Sequence, residues 1–243
     1  TPSDVKNAQL TRFWQRAEEQ GECHFKDYAS LHAWSVNNPE EFWPLCAEFT
    51  NVRFSTGPSR IKVGDRMPGT RWFYGARLNF AEHLLQRDDA HTALICRNET
   101  GEARRFTYAD LRRRVAQTVL GLRALGVKPG DRVAGYIVNG PEALIGFLAC
   151  ATFGAIWTAC SPDFGHKAVL DRLKPLQPKL FIASDRYVYG GKDFDRRSEI
   201  RAIQHALPSL AATVVVPYSE DRKLDLDPGW TAWEELSPDL GTA

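Results

Sequence analysis

The sequence predicts an α/β fold: a doubly wound, mainly parallel sheet with helices on both faces, preceded by a helical leader. Three observations predict it. From residue 92 to residue 216, strand-like and helix-like runs alternate, the pattern of a layered α/β domain. The stretch 131–165 reads as strand, tight turn, buried helix, strand and polar loop, a βαβ unit whose strands run parallel. Neither strand of that unit alternates cleanly between apolar and polar residues, as expected when helices cover both faces of a sheet. In such sheets ligands bind in the crevice beyond the carboxyl ends of the strands, which places Ser161-Pro162-Asp163-Phe164-Gly165 at a ligand-facing edge.

The elements follow in order. Residues 4 to 49 read as helical: Leu10, Phe13, Trp14 and Ala17 share one face, Tyr28, Leu31, Ala33 and Trp34 a second. Asn38-Pro39-Glu40-Glu41 opens a third helix, with proline in the first turn and acids at the positive dipole end. Residues 50 to 80 read as an irregular connection, and 78 to 85 as a short helix. Residues 92 to 97 form a strand, Asn98-Glu99-Thr100-Gly101 a turn, and 104 to 106 the returning strand. Thr107 caps the next helix, with Asp110 in its first turn imitating a capping box, and Gly126 ends it. Residues 132 to 138 are rich in β-branched and aromatic residues. Asn139-Gly140-Pro141 turns the chain into a helix, Gly154 breaks that helix, and 155 to 160 make the second strand. A helix at 167 to 176, a strand at 179 to 183, a glycine turn at 187 to 192, a helix at 197 to 207 and a strand at 213 to 216 complete the layer. From Pro217 the chain is polar and rich in proline and aspartate, apart from a short helix at 233 to 236.

Composition narrows the function classes. The 243 residues hold one large α/β domain or two small ones. Hydrophobic residues make up 43% and charged residues 25%, ordinary for a globular protein. Lysine and arginine number 31 against 30 acids, a net charge of +1, so nothing calls for a nucleic-acid partner or an anionic membrane. The runs Arg104-Arg105 and Arg112-Arg113-Arg114 read as solvated helix faces. Residues 143 to 162 carry no charge and are long enough to span a bilayer. Two glycines, a terminal proline and the flanking Glu142 and Asp163 favour a buried helix and strand instead. The five cysteines, 23, 46, 96, 150 and 160, form no CxxC pair; their odd number points to a reducing, cytoplasmic compartment. The polar start shows no signal peptide and lacks an initiating methionine.

The common catalytic signatures are missing. There is no GxGxxG, no GxxxxGK[ST] and no GxSxG. The six histidines show neither HExxH nor HxxxH spacing, so no metal site is expected. Gly190-Gly191-Lys192 after a strand suits a phosphate, because glycine lets backbone approach and lysine adds a point charge. An ordinary exposed turn explains the same residues.

Several groups of residues together carry a family likeness. They are Trp34-Ser35 and Glu41-Phe42-Trp43 in the leader, Arg77-Leu78-Asn79, Gly130-Asp131-Arg132-Val133 and Gly154-Ala155-Ile156-Trp157. To these add Ser161-Pro162-Asp163-Phe164-Gly165, Val169-Leu170-Asp171-Arg172, Gln177-Pro178-Lys179-Leu180 and Val188-Tyr189-Gly190-Gly191-Lys192. With them the chain resembles the N-terminal part of an acyl-CoA synthetase of the adenylate-forming family, and within it the acetoacetate-activating members. The resemblance implies that 1–80 is the helical leader plus connection and 81–243 the first, incomplete part of the AMP-binding (adenylation) domain. It implies a ligase that uses ATP, CoA and magnesium, forming an acyl-adenylate and then a thioester. Carried over residue by residue, Ser161, Pro162 and Asp163 match a CoA-contacting loop of the acetyl enzymes, and Tyr189 and Lys192 match their paired arginines. Tyr189 departs from that pattern and leaves one cation where they have two.

No catalytic residue and no metal ligand is implied within these residues. The family's Ser/Thr/Gly-rich phosphate loop, ribose-holding acid, adenylate-contacting arginine and C-terminal lysine domain are not found among them. The resemblance therefore implies a portion of a longer polypeptide, inactive by itself. The alternatives are a portion of an acetyl- or propionyl-CoA synthetase, or a non-catalytic module that binds CoA or a nucleotide.

Overall fold

A computed structural model describes residues 2–21, 23–99, 101, 103–218 and 226–236. The chain divides into two compact units, Thr1–Asn79 and Phe80–Ala243. The expected turn residue Thr100, and 219–225 of the expected polar stretch, lie outside the described residues.

The first unit holds α1 (Pro2–Asn7), α2 (Gln9–Gln20), α3 (Tyr28–Asn37), α4 (Pro39–Phe49), β1 (Arg60–Val63) and β2 (Arg71–Tyr74). Asp27 and Ser30 form a reciprocal capping box at the start of α3, which satisfies two otherwise orphaned amides. Phe13, Ala17, Phe25, Leu31 and Leu45 make its core. Phe13 meets Phe42 and Phe49 edge-on at 5.7 and 5.3 Å, a favoured aromatic geometry. The segment 50–80, expected to be irregular, instead contains an antiparallel pair, β1 against β2. Its strands are short, β1 mostly half-buried and β2 mostly exposed, so they lack the apolar alternation that marks a strand in sequence.

The second unit runs α5 (Phe80–Leu84), β3 (Thr92–Arg97), β4 (Ala103–Thr107), α6 (Tyr108–Ala124), β5 (Arg132–Tyr136), α7 (Pro141–Phe153), β6 (Ile156–Cys160) and α8 (His166–Leu173). It continues with β7 (Leu180–Ser184), β8 (Arg186–Tyr189), β9 (Lys192–Asp195), α9 (Arg197–Ala206), β10 (Ala212–Val216), β11 (Trp230–Ala232) and α10 (Trp233–Leu236). The Thr107–Asp110 capping box forms as expected. Gly154 closes α7 at φ +81°, a left-handed position where a side chain would be strained.

The central sheet has five parallel strands in the order β11-β10-β7-β5-β6. Alternate residues of each strand feed opposite cores. Val133, Leu180, Ile182 and Val214 face Val119, Leu122, Ile145 and Leu148 of α6 and α7. Tyr136, Phe181, Ala183 and Val215 face Val169, Leu173, Ile200 and Ile203 of α8 and α9. Every residue of β7 is buried, which is why the strand shows no polar alternation. The uncharged stretch 143–162 is α7 followed by β6, and no helix among the described residues is long and apolar enough to cross a membrane.

Two further differences from the sequence reading are informative. The glycine turn at 187–192 is part of a β-hairpin, β8 against β9, with Gly190 at φ +56° and Gly191 at φ +72°. Positive φ at both turn residues matches the right-handed twist of the flanking strands. Arg104 does not lie on a solvated helix: it sits in β4, and its Nη2 donates to both Glu142 oxygens at 2.7 and 3.0 Å. Glu142 opens α7, so pairing there answers a carboxylate only 14% exposed, which is costly to bury alone.

Candidate functional site

The strand order fixes where a ligand can enter. From β5 the chain moves to β6 at one edge, then returns past β5 to β7 and continues outward to β10 and β11. Connections diverge between β5 and β7, and a crevice opens at the carboxyl ends of those strands. Across it, the Val138 amide donates to the Ser184 hydroxyl at 3.1 Å. A cavity of about 260 Å³ lies there, walled by 138–142 after β5, Ser161 and Pro162 after β6, Tyr187 and Val188 of β8, and Pro217 and Tyr218 after β10. Residues 96–99 at the end of β3, with Arg104, close the remaining side.

The loop 161–165 is held from below. Tyr136, fully buried at the end of β5, places its hydroxyl 2.8 Å from the Pro162 carbonyl and 2.6 Å from the Phe164 carbonyl. Burial pushes this phenol up to about 12, so it remains a donor throughout the physiological range. The Phe164 amide donates back to the Ser161 carbonyl at 3.2 Å, and the Arg172 guanidinium lies 5.0 Å from the centre of the Phe164 ring.

The hairpin β8–β9 is held by charge and stacking. Asp185, buried at the end of β7, accepts from the Tyr218 amide at 2.9 Å and from Arg186 Nε at 3.1 Å. Arg186 also donates to Asp193 at 2.9 Å. Tyr187 and Phe194 stack across the hairpin at 4.9 Å. Arg196 covers the Tyr187 ring at 4.8 Å and donates to the Tyr187 hydroxyl at 2.9 Å. At the base, the Arg197 guanidinium holds the Asp195 carboxyl below its usual range.

The expected CoA-contacting residues fall into two places. Ser161 and Pro162 line the cavity; Asp163 is exposed beside it and outside its wall. Tyr189 and Lys192 face each other across the hairpin turn, are both exposed, Tyr189 by 70%, and do not line the cavity. Sequence reading missed Tyr136, Ser184, Asp185, Tyr187 and Arg196. The one available signal was the Gly-Gly pair between Arg186-Tyr187-Val188-Tyr189 and Lys192-Asp193-Phe194-Asp195, the spacing of a two-residue hairpin.

Chemically, the arrangement offers a half-apolar crevice beside a hairpin whose exposed tip carries Lys192. No histidine lines the cavity; Glu99 and Glu142 are the carboxylates in its wall. Among the described residues no group of three or more His, Cys, Asp or Glu side chains gathers to hold a metal.

Comparison with known proteins identifies relatives. An acetoacetyl-coenzyme A synthetase of Rhizobium meliloti is 42% identical over 89% of this chain and 33% of its own length. An acetoacetyl-CoA synthetase of Macaca fascicularis is 37% identical over 93% of this chain and 34% of its own length. A malonamoyl-CoA synthetase of Penicillium aethiopicum is 36% identical over 88% of this chain and 31% of its own length. The solved acetoacetyl-CoA synthetase from Streptomyces lividans superposes with a TM-score of 0.88 at 41% identity, over 98% of this chain and 37% of that one. The chain thus spans about a third of the length of the curated relatives it matches. Residues 28–84 match the model of the acetyl-coenzyme A synthetase N-terminus. Residues 80–239, well over half of the chain, match the AMP-binding enzyme model, and the chain belongs to that family.

Proposed function

We propose that this chain is the N-terminal portion of an acid–thiol ligase that converts acetoacetate, ATP and CoA into acetoacetyl-CoA. The observation that supports it most is the pair of relatives named for that activity, which together with the solved structure cover about nine-tenths or more of the chain. In the reaction, the acid's carboxylate attacks the ATP α-phosphate, giving an acyl-adenylate and pyrophosphate. The CoA thiol then displaces AMP. Adenylation supplies the leaving group that a carboxylate lacks.

Residues 1–80 serve as the helical leader and 81–243 as the first part of the adenylation domain. Ser161, Pro162, Asp163, Tyr189 and Lys192 contact CoA, with Tyr189 stacking where relatives of the acetyl type use a second cation. The adenylating groups and any magnesium ligands are supplied outside these residues. The partners are small molecules, with no nucleic acid, and the location is cytoplasmic.

A second reading of the acid has its own support. Malonamoyl-CoA synthetase is named for an acid that, like acetoacetate, bears a carbonyl on its third carbon, and it is nearly as similar. The substrate class is therefore a short 3-carbonyl carboxylic acid. At the relatives' length, the protein should catalyse ATP–pyrophosphate exchange with acetoacetate or malonamate in preference to acetate or propionate. The 243-residue chain alone should catalyse none. Exchange that prefers acetate would overturn the acid, and exchange by the short chain would overturn the division of labour.

A further inference from the structure

We infer that Tyr136 is the positioning residue of the loop 161–165, holding it in the form that receives CoA; the ligand in this inference rests on the function proposed above. Tyr136 leaves the carboxyl end of β5 with its side chain fully buried. Its ring lies nearly parallel to that of Phe181, 14° apart at 6.4 Å, in the core formed with α8 and α9. That packing aims the hydroxyl at two backbone carbonyls, Pro162 at 2.8 Å and Phe164 at 2.6 Å.

The two acceptors bracket Asp163. One hydroxyl proton serves both, by a shared bond or by alternation, so the middle of the loop is pinned from beneath on either side. Outside this grip the loop has short local ties: the Phe164 amide to the Ser161 carbonyl at 3.2 Å, and the Val169 amide to the Gly165 carbonyl at 3.2 Å. Pro162 is buried in the cavity wall while Ser161 and Asp163 on either side are exposed. The phenol therefore sets how far the wall stands from the crevice.

Phenylalanine at 136 would fill the same space and turn an apolar edge toward two carbonyls. A buried carbonyl stripped of its donor is unfavourable, so the loop would relax outward toward water and carry Pro162 with it. A purely structural tyrosine would lower stability without changing the CoA affinity of the folded protein.

The test uses Tyr136→Phe in the protein at the relatives' length. Amide hydrogen exchange at Phe164, whose amide bonds the Ser161 carbonyl, should accelerate about tenfold, the worth of one lost hydrogen bond, while amides of β5 and β7 keep their protection. CoA affinity by calorimetry should fall about threefold to fivefold, and dephospho-CoA affinity by the same factor, because the loop and not the phosphate is displaced. In the unsubstituted protein, the Tyr136 hydroxyl proton should appear by NMR as a slowly exchanging resonance close to the Pro162 and Phe164 backbone, a measurement that needs no variant. Unchanged loop exchange, or a hydroxyl proton in fast exchange with water, overturns the positioning role. Loosened exchange with unchanged CoA affinity overturns its link to the ligand. A protein that binds no CoA before substitution overturns the proposed CoA contacts themselves, and this inference with them.

Discussion

Gly121→Ala should destabilise the protein by about 2–4 kcal/mol, although alanine in mid-helix normally improves on glycine by about 0.5–1 kcal/mol. Gly121 lies within α6, where α10 crosses it. A Cβ there would stand 1.7 Å from the Leu236 carbonyl oxygen and 2.7 Å from its carbon. Those are backbone atoms, so no rotamer change relieves the clash. Helix α10 must lift away, exposing Trp233 and Leu236, which are 6% and 2% exposed. Losing two such side chains from a core outweighs the helical gain. Urea denaturation followed by circular dichroism gives the value. A stabilised variant would mean that α10 does not pack on α6 in solution.

Asp185→Ala should cost about 2–3 kcal/mol and loosen the hairpin β8–β9 before the sheet. The carboxylate is 7% exposed and its partner Arg186 18%. Removing one member of a buried pair leaves the other charge poorly compensated, typically a loss of about 3–5 kcal/mol. Arg186 retains Asp193 at 2.9 Å, which sets the lower figure. Asp185→Asn keeps an acceptor for the Tyr218 amide and should cost less. Hydrogen exchange should rise first in 186–195. Exchange rising evenly across the sheet would show that Asp185 serves the whole domain and not this arm.

Sequence and structure agree where short-range rules decide. The β5–α7–β6 unit follows from a β-branched run, a proline at the first helical position and a glycine at the helix end, all local signals. The capping box of α6 was legible for the same reason. The loop 161–165 was placed at the ligand edge by topology alone, and two of its residues line the cavity. What the sequence did not reveal depends on pairing over distance. β1, mostly half-buried, and β2, mostly exposed, are joined through Gly64 and Gly69 at positive φ, and neither strand alternates. β8 and β9 are hidden because the glycine pair shows in sequence only as a turn, while the stacking of Tyr187 on Phe194 joins residues that meet only once the hairpin closes. The grip of Tyr136 on residues 162 and 164, and the bridges from Asp185 to Arg186 and Tyr218, join groups that only the folded sheet brings together.

The most direct measurement compares CoA with dephospho-CoA, which lacks the 3′-phosphate, on the protein at the relatives' length and its Lys192→Ala variant at low salt. Lys192 stands exposed at the hairpin tip beside two glycines, so its phosphate contact should be strong enough to read yet screened by solvent and salt. The unsubstituted protein should bind CoA about tenfold more tightly than dephospho-CoA, the size of one screened charge-assisted hydrogen bond. Lys192→Ala should bind the two ligands equally, at the dephospho-CoA affinity. Equal loss for both ligands, or no loss for either, would contradict the placement of the CoA nucleotide on this edge of the sheet.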